Sequence, residues 1–332
     1  DTIKLTDKTY NSASGSVTTN ETLLTAIQSS TALTLFKNSA SQATAADDAI
    51  SVTATFRIGA NRVSLGTYFD GTMKEIVLFT SDQTDNRFKI ESNINNYYSL
   101  YTFQGDGFVE TWYDQSGNGN DATQSSAGSQ PKIVENGSFV TSESGEKTIK
   151  FIGSSLSSGS YGGGNFLAAN SLASTFSGDN KTISSFLVSS SVENNTNGVM
   201  FGFGRSSNDT PKILGLYHSG GKIGIQFRAD DNTSQTHQTT IAYSANTDLL
   251  YTIIRPSTTA DLIKDGTVGQ DDVNVDVGDT TLDRFSIGVL TRTGNALFLN
   301  GTVSELIIYS TDQGSDRTEI ETDINNYYNI YS

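Results

Sequence analysis

The chain has 332 residues, 21 Lys and Arg against 36 Asp and Glu (formal charge -15), 31 Gly, 35% apolar residues and no Cys. That balance argues against nucleic acid, whose phosphates call for clustered Lys and Arg, and the missing Cys excludes disulfides, thiolate catalysis and sulfur-ligated metals. No run is long and apolar enough to suggest membrane insertion, and neither a signal peptide nor a transmembrane segment is expected.

Residues 71 to 101, GTMKEIVLFTSDQTDNRFKIESNINNYYSLY, return at 301 to 331 as GTVSELIIYSTDQGSDRTEIETDINNYYNIY, with 14 identities in 31 positions at a constant offset of 230. A period of this size is a whole domain rather than a solenoid repeat. Upstream, Leu23 to Gln42 tracks Leu249 to Gln270 with gaps, and FRIG at 56 to 59 tracks FSIG at 285 to 288. Residues 1–102 are therefore expected to be the closing part of one unit and residues 103–332 a complete second unit. The chain is expected to open in mid-domain, its first part completed by upstream sequence or by another chain.

In chain order, the first unit ends in a predicted helix with Ile90, Ile94, Tyr97 and Tyr98 at helical spacing. The second unit then offers short apolar runs between turn signals: 183–190, 198–204, 212–217, 222–228, 248–254 and 260–266. Ser219-Gly220-Gly221 and Asp265-Gly266 stand where hairpins need positive φ. A second helix follows, with Asp316 and Glu319 read as a capping pair and Ile320, Ile324, Tyr327 and Tyr328 as a stripe for the sandwich edge. Asn95, Asn96, Asn325 and Asn326 stand towards the exits of the two helices. The pattern predicts an all-β fold, an antiparallel sandwich of two packed sheets with a short C-terminal helix closing each unit.

Candidate chemistry gathers at residues 112 to 121, WYDQSGNGND. Asp114, Ser116, Asn118 and Gly119 match the opening half of a calcium loop, but Ser125 stands where an EF-hand needs Glu. A calcium ion could still be held by Asp114, Asn118 and Asp121; the competing reading is a self-bonded Asn/Gly loop. Trp112 and Tyr113 alternate in a strand, so one must point inward. The Gly-rich stretch from Ser157 to Asn165, containing Tyr161, could border a ligand groove. Neither His218 nor His237 has a triad or metal-ligating partner nearby in sequence, and both are expected at the surface near turns.

The string FVETWYDQSGNGNDATQ with TIKFIGSSL at 148 to 156 resembles modules of the alpha-L-arabinofuranosidase B family, a branch of the concanavalin A-like and laminin G-like jelly rolls. The enzymes of that family cleave glycosides with two carboxylates. By motif, the resemblance puts the nucleophile near Ser207 and the acid at Val289, with Ala60 in the first copy. Since none of these is acidic, the resemblance implies an inherited fold without the hydrolase. The expected function is a non-enzymatic, lectin-like module of a repetitive extracellular assembly, a phage virion appendage or a bacterial surface adhesin. Its partners would be glycans or further copies of itself, with Trp112, Tyr113, Asp114, Asn118, Asn120, Tyr161 and Asn165 as ligand-binding candidates. The alternative is a glycoside hydrolase with a rearranged carboxylate pair drawn from Asp209, Asp230 and Asp231.

Overall fold

The computed structural model describes residues 3–4, 9–10, 21–29, 32–46, 58–59, 68–84, 86–101, 105–155, 161–192, 198–219 and 221–332. The chain divides into two compact units, Asp1–Phe103 and Gln104–Ser332. Among the described residues no helix is long and apolar enough to cross a membrane.

The second unit is an antiparallel jelly-roll sandwich of two large sheets. In the first, the strands run Ser138–Phe139, Lys132–Glu135, Ile149–Phe151, Gly301–Tyr309, Ile183–Ser191, Leu249–Arg255, Thr259–Lys264 and Thr267–Asn274, with Gly107–Phe108 also on Lys132–Glu135. The second runs Ser234–Ala242, Lys222–Arg228, Asn208–Ser219, Gly198–Arg205, Arg284–Ile287, Leu167–Ala168, Ala122–Thr123 and Thr111–Trp112. Phe151, Leu187 and Tyr251 from the first sheet meet Phe201, Phe203 and Phe227 from the second in one buried cluster. Burying such side chains contributes about 1.5–3 kcal/mol each.

Strand Ile183–Ser191 is buried almost throughout because the first sheet is covered on both faces. Ile183 and Leu187 enter the inter-sheet core, while Phe186 and Val188 meet Leu250, Ile254, Ile324 and Tyr328 on the other side. Helix α2, Arg317–Tyr328, thus lies on the outer face of the sheet, not on the sandwich edge as its stripe suggests. Only part of that stripe packs: Ile324 and Tyr328 are buried, but Tyr327 is 64% exposed and its hydroxyl reaches Glu146. The expected capping pair does not form. Asp316 is the N-cap, yet its backbone is helical (φ -99°, ψ -3°) and its side chain makes no cap bond, since capping needs an extended residue there. Asp265 and Gly266, both at positive φ, make the two-residue hairpin that the sequence signals. Gly220 lies outside the described residues.

The first unit holds a two-stranded ribbon, Ile3–Lys4 with Thr9–Tyr10, a three-stranded sheet, Leu24–Gln28, Ala32–Lys37 and Ala40–Ala46, and helix α1, Arg87–Tyr98. Its sheet repeats part of the second unit in detail. Leu24 pairs with Lys37 as Tyr251 pairs with Lys264, and Leu35 with Ala43 as Leu262 with Gln270, with a bulge at the same step. Asn38 Oδ1 accepts from Leu23 N–H as Asp265 Oδ1 accepts from Leu250 N–H. Leu23 therefore corresponds to Leu250, and Gln42 to Gly269. The sequence alignment, which put them on Leu249 and Gln270, slips by one residue at each end, because similar residues stand side by side there. Gly59 and Gly288 repeat too, at φ +77° and +82°. Residues 56, 57 and 60, and with them the expectation for Ala60, lie outside the described residues.

Candidate functional site

Thr111–Trp112 and Ala122–Thr123 pair as a hairpin at the edge of the second sheet, with Trp112 opposite Ala122, so residues 113–121 form its loop. Strand alternation turns Trp112 against the core cluster and leaves Tyr113 67% exposed. The loop then closes on its own carboxylates. Asp114 Oδ1 accepts from Ser116 N–H (2.8 Å) and Oδ2 from Asn120 N–H (2.9 Å), while Asp121 Oδ1 accepts from Asp114 N–H (2.8 Å). Gly117 and Gly119 sit at φ +82° and +72°, which lets the chain curl around Asp114. The Ser116 hydroxyl first, then the N–H groups of Asn120 and Ser116, hold the Asp114 carboxyl below the usual aspartate range.

The same bonds engage the groups that the sequence offers to calcium. Both Asp114 oxygens are taken by N–H donors, and Asn118 turns its amide N–H₂ towards Ser116 Oγ (2.9 Å). A cation needs oxygens converging on one point. Among the described residues no group of three or more His, Cys, Asp or Glu could hold a metal ion. The carboxylates of Asp114 and Asp121 hold the loop in shape through these bonds. Tyr113, Gln115 and Asn118 are left facing outward, and Asn120 is tied by Ser171 Oγ–H to its Oδ1 (3.2 Å).

The two loops that the sequence offers to a ligand leave opposite ends of a strand pair. Ala168 lies opposite Thr123 in antiparallel register; Asn120 meets Ser171 beyond one end, and Phe166 N–H bonds Ser129 beyond the other. Asn165, on the Phe166 side, accepts from Ile152 N–H through Oδ1. Tyr161 lies in strand Tyr161–Gly164, but its side chain is outside the described residues, as are residues 156–160. The antiparallel run that separates these loops is invisible to sequence spacing.

The carboxylates of the hydrolase alternative are all engaged locally. Asp209 accepts from Thr293 Oγ1–H and faces Arg292, Asp230 accepts from Thr281 Oγ1–H and faces Arg205, and Asp231 accepts from Thr233 N–H. Val289, where the family's acid is expected, is fully buried beside Phe298. The outer face of the second sheet, next to these positions, is covered by the hairpin of Leu290–Thr291 with Asn295–Ala296. It approaches so closely that a Cβ on Gly204 would overlap the Thr291 carbonyl oxygen. Sequence inspection passes over this cover; the Gly pair in MFGFG is its one trace. His237 is in mid-strand rather than at a turn, its Nε2–H donating to the Asn274 carbonyl (2.6 Å).

No family model matches the sequence, and no curated protein matches it. Solved structures do resemble it. The carbohydrate-binding module CBM40 of the Ruminococcus gnavus IT-sialidase, bound to alpha2,3 sialyllactose, is 15% identical over 42% of this chain and 80% of its own, with a TM-score of 0.37. NanB sialidase of Streptococcus pneumoniae is 14% identical over 48% of this chain and 27% of its own, at 0.39. Domains LG4-5 of mouse laminin alpha1 are 10% identical over 42% and 38%, at 0.34.

Proposed function

We propose that the chain is a non-enzymatic, lectin-like module that docks carbohydrate at the loop of residues 113–121, within a repetitive extracellular assembly such as a phage virion appendage or a bacterial surface adhesin. The observation that carries this reading is Tyr113: a two-thirds exposed aromatic ring beside a loop held rigid from within. An exposed ring on a stiff base offers a stacking platform at little entropic cost, and the neighbouring amides of Gln115 and Asn118 supply donors and acceptors for hydroxyls. The non-catalytic part of the reading is supported by Val289 and Ser207 at the positions where the resemblance expects carboxylates. The duplicated unit, the acidity and the lack of Cys suit a spacer or adhesive array.

The test is a glycan array with the full chain, including sialylated and arabinose-containing glycans, followed by titration of any hit. Binding that Tyr113→Ala weakens about tenfold, corresponding to about 1.4 kcal/mol, supports the reading. Silence across the array, or binding indifferent to Tyr113, overturns it. Release of reducing sugar from the same glycans would overturn the non-enzymatic part.

A further inference from the structure

In the second unit, strand Ile183–Ser191 sits between Leu249–Arg255 and Gly301–Tyr309, antiparallel to both. The first unit holds counterparts of both neighbours without a described counterpart of the strand between them. Leu24–Gln28 repeats the first neighbour, and its one described strand partner is Ala32–Lys37, on the far side. Residues 71–79 repeat the second neighbour, yet they form no strand and have no backbone hydrogen bond among the described residues. The apolar side chains that such a pairing would cover stand in the open: Met73, Ile76, Val77, Leu78 and Phe79 are 44–67% exposed, whereas Val303, the counterpart of Met73, is fully buried. On α1, Ile94 and Tyr98 are only half-buried, while their counterparts Ile324 and Tyr328 pack on Phe186 and Val188 of the central strand.

We propose that Leu24–Gln28 and residues 71–79 form an acceptor slot for one antiparallel strand, donated by another copy of this module and equivalent to Ile183–Ser191. The chain's own second unit shows what fits. The donor is uncharged and nine residues long, it carries Ile183 and Leu187 on one face and Phe186 and Val188 on the other among serines, and in its native sheet it is bonded along both edges. Transferred to the slot, the register sets the residue equivalent to Phe186 between Thr25 and Val77, and that equivalent to Leu187 between Leu24 and Ile76. The Phe186 and Val188 equivalents would then cover Ile94 and Tyr98. A strand about 30 Å long, gripped on both edges, buries on the order of 1,000 Å², enough for a specific interface. It also gives residues 71–79 the backbone partners that their counterparts Gly301–Tyr309 have in the second unit.

The test is hydrogen exchange on the full chain with a synthetic peptide of residues 182–191, TISSFLVSSS. Alone, the chain should exchange fast at residues 71–79. With the peptide, exchange there and at Leu24–Gln28 should slow at least tenfold, a shuffled peptide should do nothing, and Val77→Pro should abolish the effect without altering exchange in the second unit. Slow exchange in the chain alone at every concentration, or indifference to the peptide, overturns the proposal. Adding a further copy of residues 104–332 before Asp1 identifies the donor: protection independent of concentration assigns it to a preceding copy in the same chain. Protection of the unextended chain that grows with concentration assigns it to a neighbouring chain, and either result supports the slot.

Discussion

Asn325 holds Tyr331 by both of its backbone polar groups: Oδ1 accepts from Tyr331 N–H (2.9 Å) and Nδ2–H donates to the Tyr331 carbonyl (2.7 Å). Asn95 holds Tyr101 in the same way, at 3.0 and 2.8 Å. In each copy the helix has just ended in a left-handed residue, Asn329 or Ser99, and the asparagine clamps the departing chain.

Asn325→Ala should therefore cost about 2 kcal/mol, since it leaves the N–H groups of Ile330 and Tyr331 without their acceptor in a half-buried place. Urea unfolding with an unchanged slope checks this. Asn325→Asp, which keeps the acceptor, should lose less than half as much.

Arg317 and Glu321 form an ion pair one helical turn apart at 2.8 Å, with the Glu321 side chain only 3% exposed. Burial pushes the Glu321 carboxyl up from its ordinary range, so the charged form depends on its arginine. Arg317→Ala, which strands the carboxylate, should destabilise by about 2–3 kcal/mol. Glu321→Gln should cost clearly less, and the ordering of the two thermal midpoints decides it. A raised carboxylate pKa means that the fold binds the proton more tightly than the unfolded chain, so the Arg317→Ala deficit should shrink as pH falls through the elevated Glu321 value.

Gly288 and Gly59 share a positive φ, but a Cβ on Gly288 would strike the Phe151 ring, whereas nothing described lies within 4 Å of a Cβ on Gly59. Gly59→Ala should cost only the left-handed strain, about 1–2 kcal/mol. Gly288→Ala adds overpacking of about 1–3 kcal/mol in the core. Equal losses for the two variants, measured as unfolding of each unit by hydrogen exchange, would contradict the difference in surroundings.

The Asp114 carboxyl, held low by the Ser116 hydroxyl first and then by the N–H groups of Asn120 and Ser116, contributes to loop order above the unfolded aspartate pKa of about 3.9, and that contribution is lost as pH falls through its lower folded value. An NMR titration should give Asp114 a midpoint below 3.9, with the Ser116 and Asn120 amides moving in step. A midpoint at or above that value would mean that the loop is not built on this carboxylate.

Much of this architecture is legible in the sequence where local physics decides. The tail repeat, the strand KIGIQFR, the Asp265-Gly266 turn and the two terminal helices all follow from periodicity and φ preference, which act within a few residues. The alternation of Trp112 and Tyr113 likewise follows from strand geometry.

What packs against what was decided elsewhere. Nothing in DLLYTIIR announces that Arg255 is buried, donating to Lys181 and Asn180 from above the Phe227 ring, with desolvation lowering its pKa to about 10. Nor does spacing reveal that Tyr327 faces solvent while Tyr328 is buried, that Asn120 and Asn165 leave opposite ends of a strand pair, or that a hairpin covers Gly204. Residues 71–79 and 301–309 make the point most plainly: one sequence pattern is an exposed run in one unit and a central strand in the other. A strand is completed by its neighbours, and backbone hydrogen bonds to residues a hundred positions away are set by the tertiary fold alone.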